Sequence, residues 1–404
     1  MPLAKAVASG LANFSANALT LTGTVDTYTL TYSLSPYASA THDVNLLPGA
    51  ATKLIQTTLA TNFVNRQNFD AQPVIEVRDA SNNLVTSNTD EITVAISDAT
   101  LTGTTKVRAV GGIATFSGLG KYGLVGSKKL TFSSGVLTAA EQIFTLTFGA
   151  ATKVKATTPA SGFTNDVNIP TQPTVKVQDQ DGNTVDNFAG NIMVTQGSGT
   201  LTGTNKIATT NGVVTFAGLK INGSTTASHS LTYAAEGTNL TTDTQSFTLG
   251  AGAAYRLAII ELSSSATNRT AFTTQPIIEV RDINNNPVPN SGLTITAAST
   301  GLTLDGTKTA TADASTGRAE FGNLSLRGLI SSSPSTRITF TTTNNVAAED
   351  QEITVTHGTA TKLSVNPTTH TAINNATFAT TPVITVTDED GNKVGNSTKT
   401  VTVS

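Results

Sequence analysis

Apolar and polar residues alternate with a period of two along most of this 404-residue chain. Asn, Gly, Asp or Pro breaks the alternation about every 8–12 residues, which predicts short β-strands joined by tight turns. Four segments carry the pattern most clearly: QPVIEVRDASNNLV, QPTVKVQDQDGNTV, QPIIEVRDINNNPV and TPVITVTDEDGNKV. Their shared aspartates, Asp79, Asp179, Asp282 and Asp388, lie 100, 103 and 106 residues apart. Two apolar residues precede each aspartate at alternate positions: Ile75 and Val77, Val175 and Val177, Ile278 and Val280, Ile384 and Val386. A valine follows six residues later, at Val85, Val185, Val288 and Val394. Each segment therefore reads as strand, Asn/Gly turn, strand. Pro73, Pro173, Pro276 and Pro382 stand at strand entrances, where no ladder donor is needed.

Other blocks repeat with the same period, the mark of a tandem architecture. GGIATFSGL, NGVVTFAGL and TGRAEFGNL place Phe116, Phe216 and Phe321 as core anchors. Segments around KKLTF, HSLTY and TRITF add two late strands. Links of a few residues, GAATK, GAGAAYR and GTATK, then lead onward. About seven short strands per roughly 100 residues is the pattern of an immunoglobulin-like β-sandwich. The expected fold is all-β: tandem Ig-like sandwiches in a semi-rigid rod, since the links hold no flexible Ser/Gly tract.

The full cycle, with TKL, QPxIxVxDxxGNxV, TLTGT, GVxTFxGL and LTF in order, resembles the bacterial Ig-like repeats of prokaryotic cell-surface proteins of the surface-layer and adhesin type. The resemblance covers nearly the whole chain. It implies an extracellular, cell-surface setting and a role as spacer or assembly module.

Complete units are predicted over 50–149, 150–250 and 251–358, with half-units at 1–49 and 359–404. KTVTVS at the end aligns with NIMVT, which ends at Thr195, so residues 359–404 supply only early strands. KAVASGLANF and YTLTYSL near the start align with KIATTNGVVTF and SHSLTYA, so residues 1–49 supply only late ones. A half sandwich buries too little surface to stand alone and leaves strand edges and an apolar face open. Three readings stay open. The chain is a window of a longer repeat protein, a stalk fragment of an adhesin or surface-layer protein. Or each half-unit completes that of another copy, giving a head-to-tail filament or lattice. Or the halves close within one molecule. The second reading assigns the assembly interface to Phe14, Leu30 and Tyr32 of one copy against Ile384, Val386, Val394, Val401 and Val403 of the next.

Charge and composition narrow the chemistry. Only 13% of residues are charged, and the formal net charge of -3 is spread without blocks. That argues against a nucleic-acid surface. No apolar run is long enough to span a bilayer. With no Cys, disulfides, thiolate nucleophiles and cysteine metal sites are out. The turns DQDGN (Asp179, Asp181, Asn183) and DEDGN (Asp388, Asp390, Asn392) start like a calcium loop, with oxygen ligands at alternate positions and a Gly bend, but no distal Glu follows. The competing reading is a plain Asx hairpin turn. His42, His229, His357 and His370 occupy non-equivalent places. No nucleophile elbow, phosphate loop or paired-carboxylate constellation occurs, so no catalysis is expected. Asn13, Asn222, Asn239, Asn268, Asn323, Asn375 and Asn396 head sequons, which an Asn- and Thr-rich chain produces by chance. No glycan or receptor ligand is specified.

Overall fold

The computed structural model describes residues 4–15, 19–330 and 335–404. Among them the regular structure is β-sheet, with no membrane-length apolar helix. Three hydrophobic cores follow one another along the chain.

The first core lies between two sheets. One has three strands, Ala51–Thr58, Val74–Asp79 and Ile113–Thr115; the other has four, Ala140–Leu146, Gly126–Ser133, Glu91–Ile96 and Lys106–Arg108, in that spatial order. The second unit repeats this arrangement with Lys153–Thr158, Thr174–Gln178 and Val213–Thr215 facing Asp243–Thr248, Ser228–Ala235, Asn191–Gln196 and Lys206–Ala208. The third does so with Arg256–Glu261, Ile277–Arg281 and Arg318–Glu320, and its larger sheet gains Ser265–Thr267, parallel to Glu349–Thr356. Where about seven strands are expected, the first unit has nine. The difference is a separate ribbon of Thr100–Thr102 with Gly120–Tyr122. Gly103 sets the ribbon apart: its φ is +84°, and a Cβ there would lie 2.1 Å from the Gly118 carbonyl oxygen.

Period-2 alternation puts every second side chain inside. Ile75, Val77, Ile92, Val94, Phe116 and Phe132 are buried in the first core, and their counterparts fill the other two. One aromatic pair ties the two sheets of each unit together. Phe116 meets Phe132 at 5.5 Å between ring centroids, Phe216 meets Tyr233 at 6.3 Å, and Phe321 meets Phe340 at 5.5 Å, all tilted. A glutamine also spans each unit. Gln72, Gln172 and Gln275 donate to two backbone carbonyls and accept from the N–H of Leu119, Leu219 and Leu324.

The flanking segments form less. Among the described residues Thr27–Tyr32 pairs only with the strand Ala40–Asn45, and Lys362–Asn366 only with the strand Val383–Thr387.

Candidate assembly surfaces and unit junctions

The aspartate turns sit where one unit meets the next. Each aspartate folds its own turn: Asn83, Asn183, Asn286 and Asn392, four residues on, donate their N–H to the aspartate Oδ1 at 2.8–2.9 Å. The backbone needs a left-handed residue just before that asparagine. Asn82, Gly182, Asn285 and Gly391 supply it with φ of +72°, +91°, +69° and +90°. The aspartate Oδ2 then receives the N–H of the linker glycine, Gly49, Gly149, Gly252 or Gly358, at 2.8–2.9 Å. The asparagine side chain reaches back into the preceding unit, as when Asn183 donates to the Gly123 carbonyl and accepts from Val125 N–H.

A second asparagine closes the junction from the other side. Asn65 donates to both Asp179 (2.8 Å) and Asp181 (2.7 Å) and accepts from Gly123 N–H. Beside it, Arg66 grips Asp181 with two nitrogens at 2.7 and 2.6 Å. Asn268 and Arg269 repeat the whole arrangement on Asp388 and Asp390. At the middle junction the pattern weakens. Asn165 turns its amide to the Gly250 carbonyl, Asp166 stands in place of the arginine, and Asn284 stands in place of the second aspartate.

These donors set the acidities. Hydrogen bonding to Arg269 leads in holding the Asp390 carboxyl at about 2. Burial pushes Asp388 upward, yet the donors Asn392, Gly358 and Asn268 outweigh it and the pKa falls to about 2. Asp181 is lowered in the same way, led by Arg66. So the six residues of the two calcium-like turns, Asp179, Asp181, Asn183, Asp388, Asp390 and Asn392, lie at junctions with their carboxylates facing N–H donors and a guanidinium. Among the described residues no group of three or more His, Asp or Glu is placed to hold a metal ion. The asparagines and arginines were missed in the sequence. Their signal is a fixed spacing: Asn65, Asn165, Asn268 and Asn374 each stand 14 residues before the shared aspartate.

The expected interface residues form two separate groups. Phe14 and Tyr32 meet at 6.1 Å, tilted, reproducing the aromatic pair of the complete units, with Tyr32 40% exposed. They line a groove with Ala12 and Leu34, and Leu30 lies two residues before Tyr32 on its strand. Ile384 and Val386 alternate along Val383–Thr387, and Val386 lines a second groove with Val401 and Leu363. Val403 is 94% exposed. Val394 is already buried within the chain, and its N–H donates to the Val386 carbonyl.

The complete units show what covers these positions elsewhere. Counted from the shared aspartate, Val403 corresponds to Val94, Val194 and Ala297, all buried and opposite Phe132, Tyr233 and Phe340 in the ladder. Ile384 corresponds to Ile75, Val175 and Ile278, each opposite Ala114, Val214 or Ala319. On the other side, the Ser9–Gly10 turn (φ +52° and +76°) copies Asn211–Gly212 (φ +51° and +68°), which aligns Ala12 with Val214 and Phe14 with Phe216. A Cβ at Gly212 would lie 2.2 Å from the Val185 carbonyl oxygen, whereas one at Gly10 meets nothing within 4 Å.

No family model and no curated protein matches the chain. Solved structures do. The chain is similar to the FdeC adhesin of Escherichia coli, at 16% identity over 77% of this chain and 100% of that one, with a TM-score of 0.34. It is similar to invasin, a bacterial integrin-binding protein, at 12% identity over 78% of this chain and 62% of that one, with a TM-score of 0.33. Domains 1–6 of surface layer protein SbsC match at 13% identity over 94% of this chain and 50% of that one, with a TM-score of 0.24.

Proposed function

We propose that this chain is a non-enzymatic, extracellular structural protein of a cell surface. It assembles head-to-tail by completing in trans the Ig-like unit whose halves lie at 1–49 and 359–404. The single observation that carries this is register. The C-terminal segment leaves Ile384 and Val403 open at positions that the late strands of every complete unit cover, and the N-terminal segment carries the matching late strands. The free edge of Val383–Thr387 takes Leu11–Asn13 as Thr174–Gln178 takes Val213–Thr215. Phe14 then donates to the Pro382 carbonyl, as Phe216 does to Pro173. Val403 comes to lie opposite Tyr32.

Covering an exposed side chain such as Val403 contributes about 1.5–3 kcal/mol, and the partly covered Ile384, Val401 and Leu34 contribute less each. Association costs on the order of 4–15 kcal/mol. The two are comparable, so assembly is concentration dependent, and backbone pairing along two ladders decides its strength. The contact is heterologous and does not close, so it propagates.

The test is the intact chain followed by sedimentation and negative-stain microscopy against Val403→Asp. Wild type forms filaments or sheets as concentration rises; the variant stays monomeric with its complete units folded. A wild-type chain that remains a monomer throughout sinks the proposal. The polar locks at the junctions favour a second reading, a stalk within a longer adhesin, in which the same half-units are completed by neighbouring sequence in cis.

A further inference from the structure

The first complete unit differs from the next two in what covers its aspartate turn. Asp179 and Asp388 each have an asparagine donor from a preceding unit on Oδ2, whereas among the described residues Asp79 receives only Gly49 N–H and Asn83 there. Gly123, Gly223 and Gly328 each donate their N–H to the Oδ1 of Asn65, Asn165 or Asn268. Gly23 holds the same place, since its carbonyl accepts from Asn83 as that of Gly123 accepts from Asn183. Among the described residues its N–H has no partner.

A third, independent sign is Gly49 itself. Its φ is not in the left-handed region, and a Cβ there would meet only Asp79 side-chain atoms, the nearest at 3.5 Å. Among the described residues nothing requires glycine there. At Gly149, Gly252 and Gly358 the reason is plain: a Cβ would lie 2.8 Å from the backbone carbonyl oxygen of Asn65, Asn165 or Asn268. Gly49 is thus shaped for an asparagine backbone lying over it.

We infer that Gly23 N–H, the Asp79 Oδ2 and Gly49 form a seat for the Asn374–Asn375 turn of a second copy. This rests on the trans-completion reading and adds to it a polar lock outside the shared sandwich. Asn374 stands 14 residues before Asp388, as Asn65 stands before Asp79. Asn375 has φ +62°, as Arg66 (+61°), Asp166 (+59°) and Arg269 (+63°) do, so the turn already has its seated conformation. In the seat, the Asn374 amide donates to Asp79 and its Oδ1 accepts from Gly23, while Asn375 lies over Ser81, the counterpart of Asp181.

The test uses the full-length chain and two variants. Gly49→Ala fits the isolated chain, so its thermal unfolding matches wild type, but the methyl blocks the incoming carbonyl. The critical concentration for assembly rises about tenfold or more. The double variant Asn375→Arg with Ser81→Asp rebuilds the charged grip and tightens assembly about two- to fivefold at low salt. Gly49→Ala assembling at the wild-type concentration, or a double variant no tighter than wild type, overturns the seat while leaving trans completion standing. A wild-type chain that never assembles overturns both.

Discussion

Arg66 grips Asp181 across the first junction with nitrogen–oxygen distances of 2.7 and 2.6 Å, and Arg269 grips Asp390 at the same two distances. The bidentate geometry fixes direction as well as distance, which a point charge would not. Replacing Asp181 by Ala is therefore predicted to loosen the first junction without unfolding either neighbour. Small-angle scattering should show a broader distribution of end-to-end distances, with the main unfolding transition shifted by no more than a few degrees. An unchanged scattering profile would contradict the assigned role.

The middle junction has neither arginine nor second aspartate. Amide exchange and limited proteolysis at the link 250–254 are expected to run faster than at 149–153 and 358–362. Equal protection at all three links would show that the charged grip adds nothing.

Acid should weaken the junctions in a defined window. Asp388 and Asp390 are held at about 2, below the ~3.9 of an unfolded aspartate. Because the folded pKa is depressed, the stabilisation is complete above about pH 4 and fades as pH falls towards 2. Scattering measured from pH 7 down to pH 2 should show the third junction loosening only in that final interval. Loosening between pH 7 and 5 would point to other groups.

Calcium gives a further prediction. The Asp179 and Asp388 turns have their carboxylates filled by donors, with guanidinium groups on Asp181 and Asp390. Chelator should leave the unfolding temperature and the scattering profile unchanged. Stiffening on addition of millimolar calcium would restore the cation reading of these turns.

The three cores are separate, so core damage should stay local. Phe216→Ala, at a fully buried aromatic, is predicted to cost about 3–5 kcal/mol. The signature is an early transition confined to the second unit, read by exchange of Val175 and Val177 while Ile75 and Ile278 keep their protection.

Fold and repeat were legible because burial on a β-sheet imposes a strict period of two. Ile75, Val77 and their counterparts announce the inward face wherever they occur. Phe116, Phe216 and Phe321 were legible as core anchors for the same reason. The junctions were read only in part. Asp179 and Asp388 stood out as oxygen-rich turns, but an Asx turn and a calcium loop share the same opening residues. What separates them is Asn65 and Arg66, distant in sequence and brought alongside only by the fold. Gly49 was equally opaque: on the inference drawn above, its constraint comes from a carbonyl that a second copy supplies, while within the chain a Cβ there meets Asp79 side-chain atoms at 3.5 Å or more. The split ribbon at Thr100–Thr102 escaped notice since TLTGT continues the alternation, and the strand is broken by left-handed φ at Asp98 (+50°) and Gly103 (+84°) on either side of it.

Joined end to end as proposed, such chains would have couplings of two kinds in strict succession. The Arg66 and Arg269 joints resist bending; the Asp166 joint and the one made by Asn375 against Ser81 of the next molecule, which have no such pairing, give way. A thread built like this flexes at every other node, so its mechanical repeat is two domains although its chemical repeat is four.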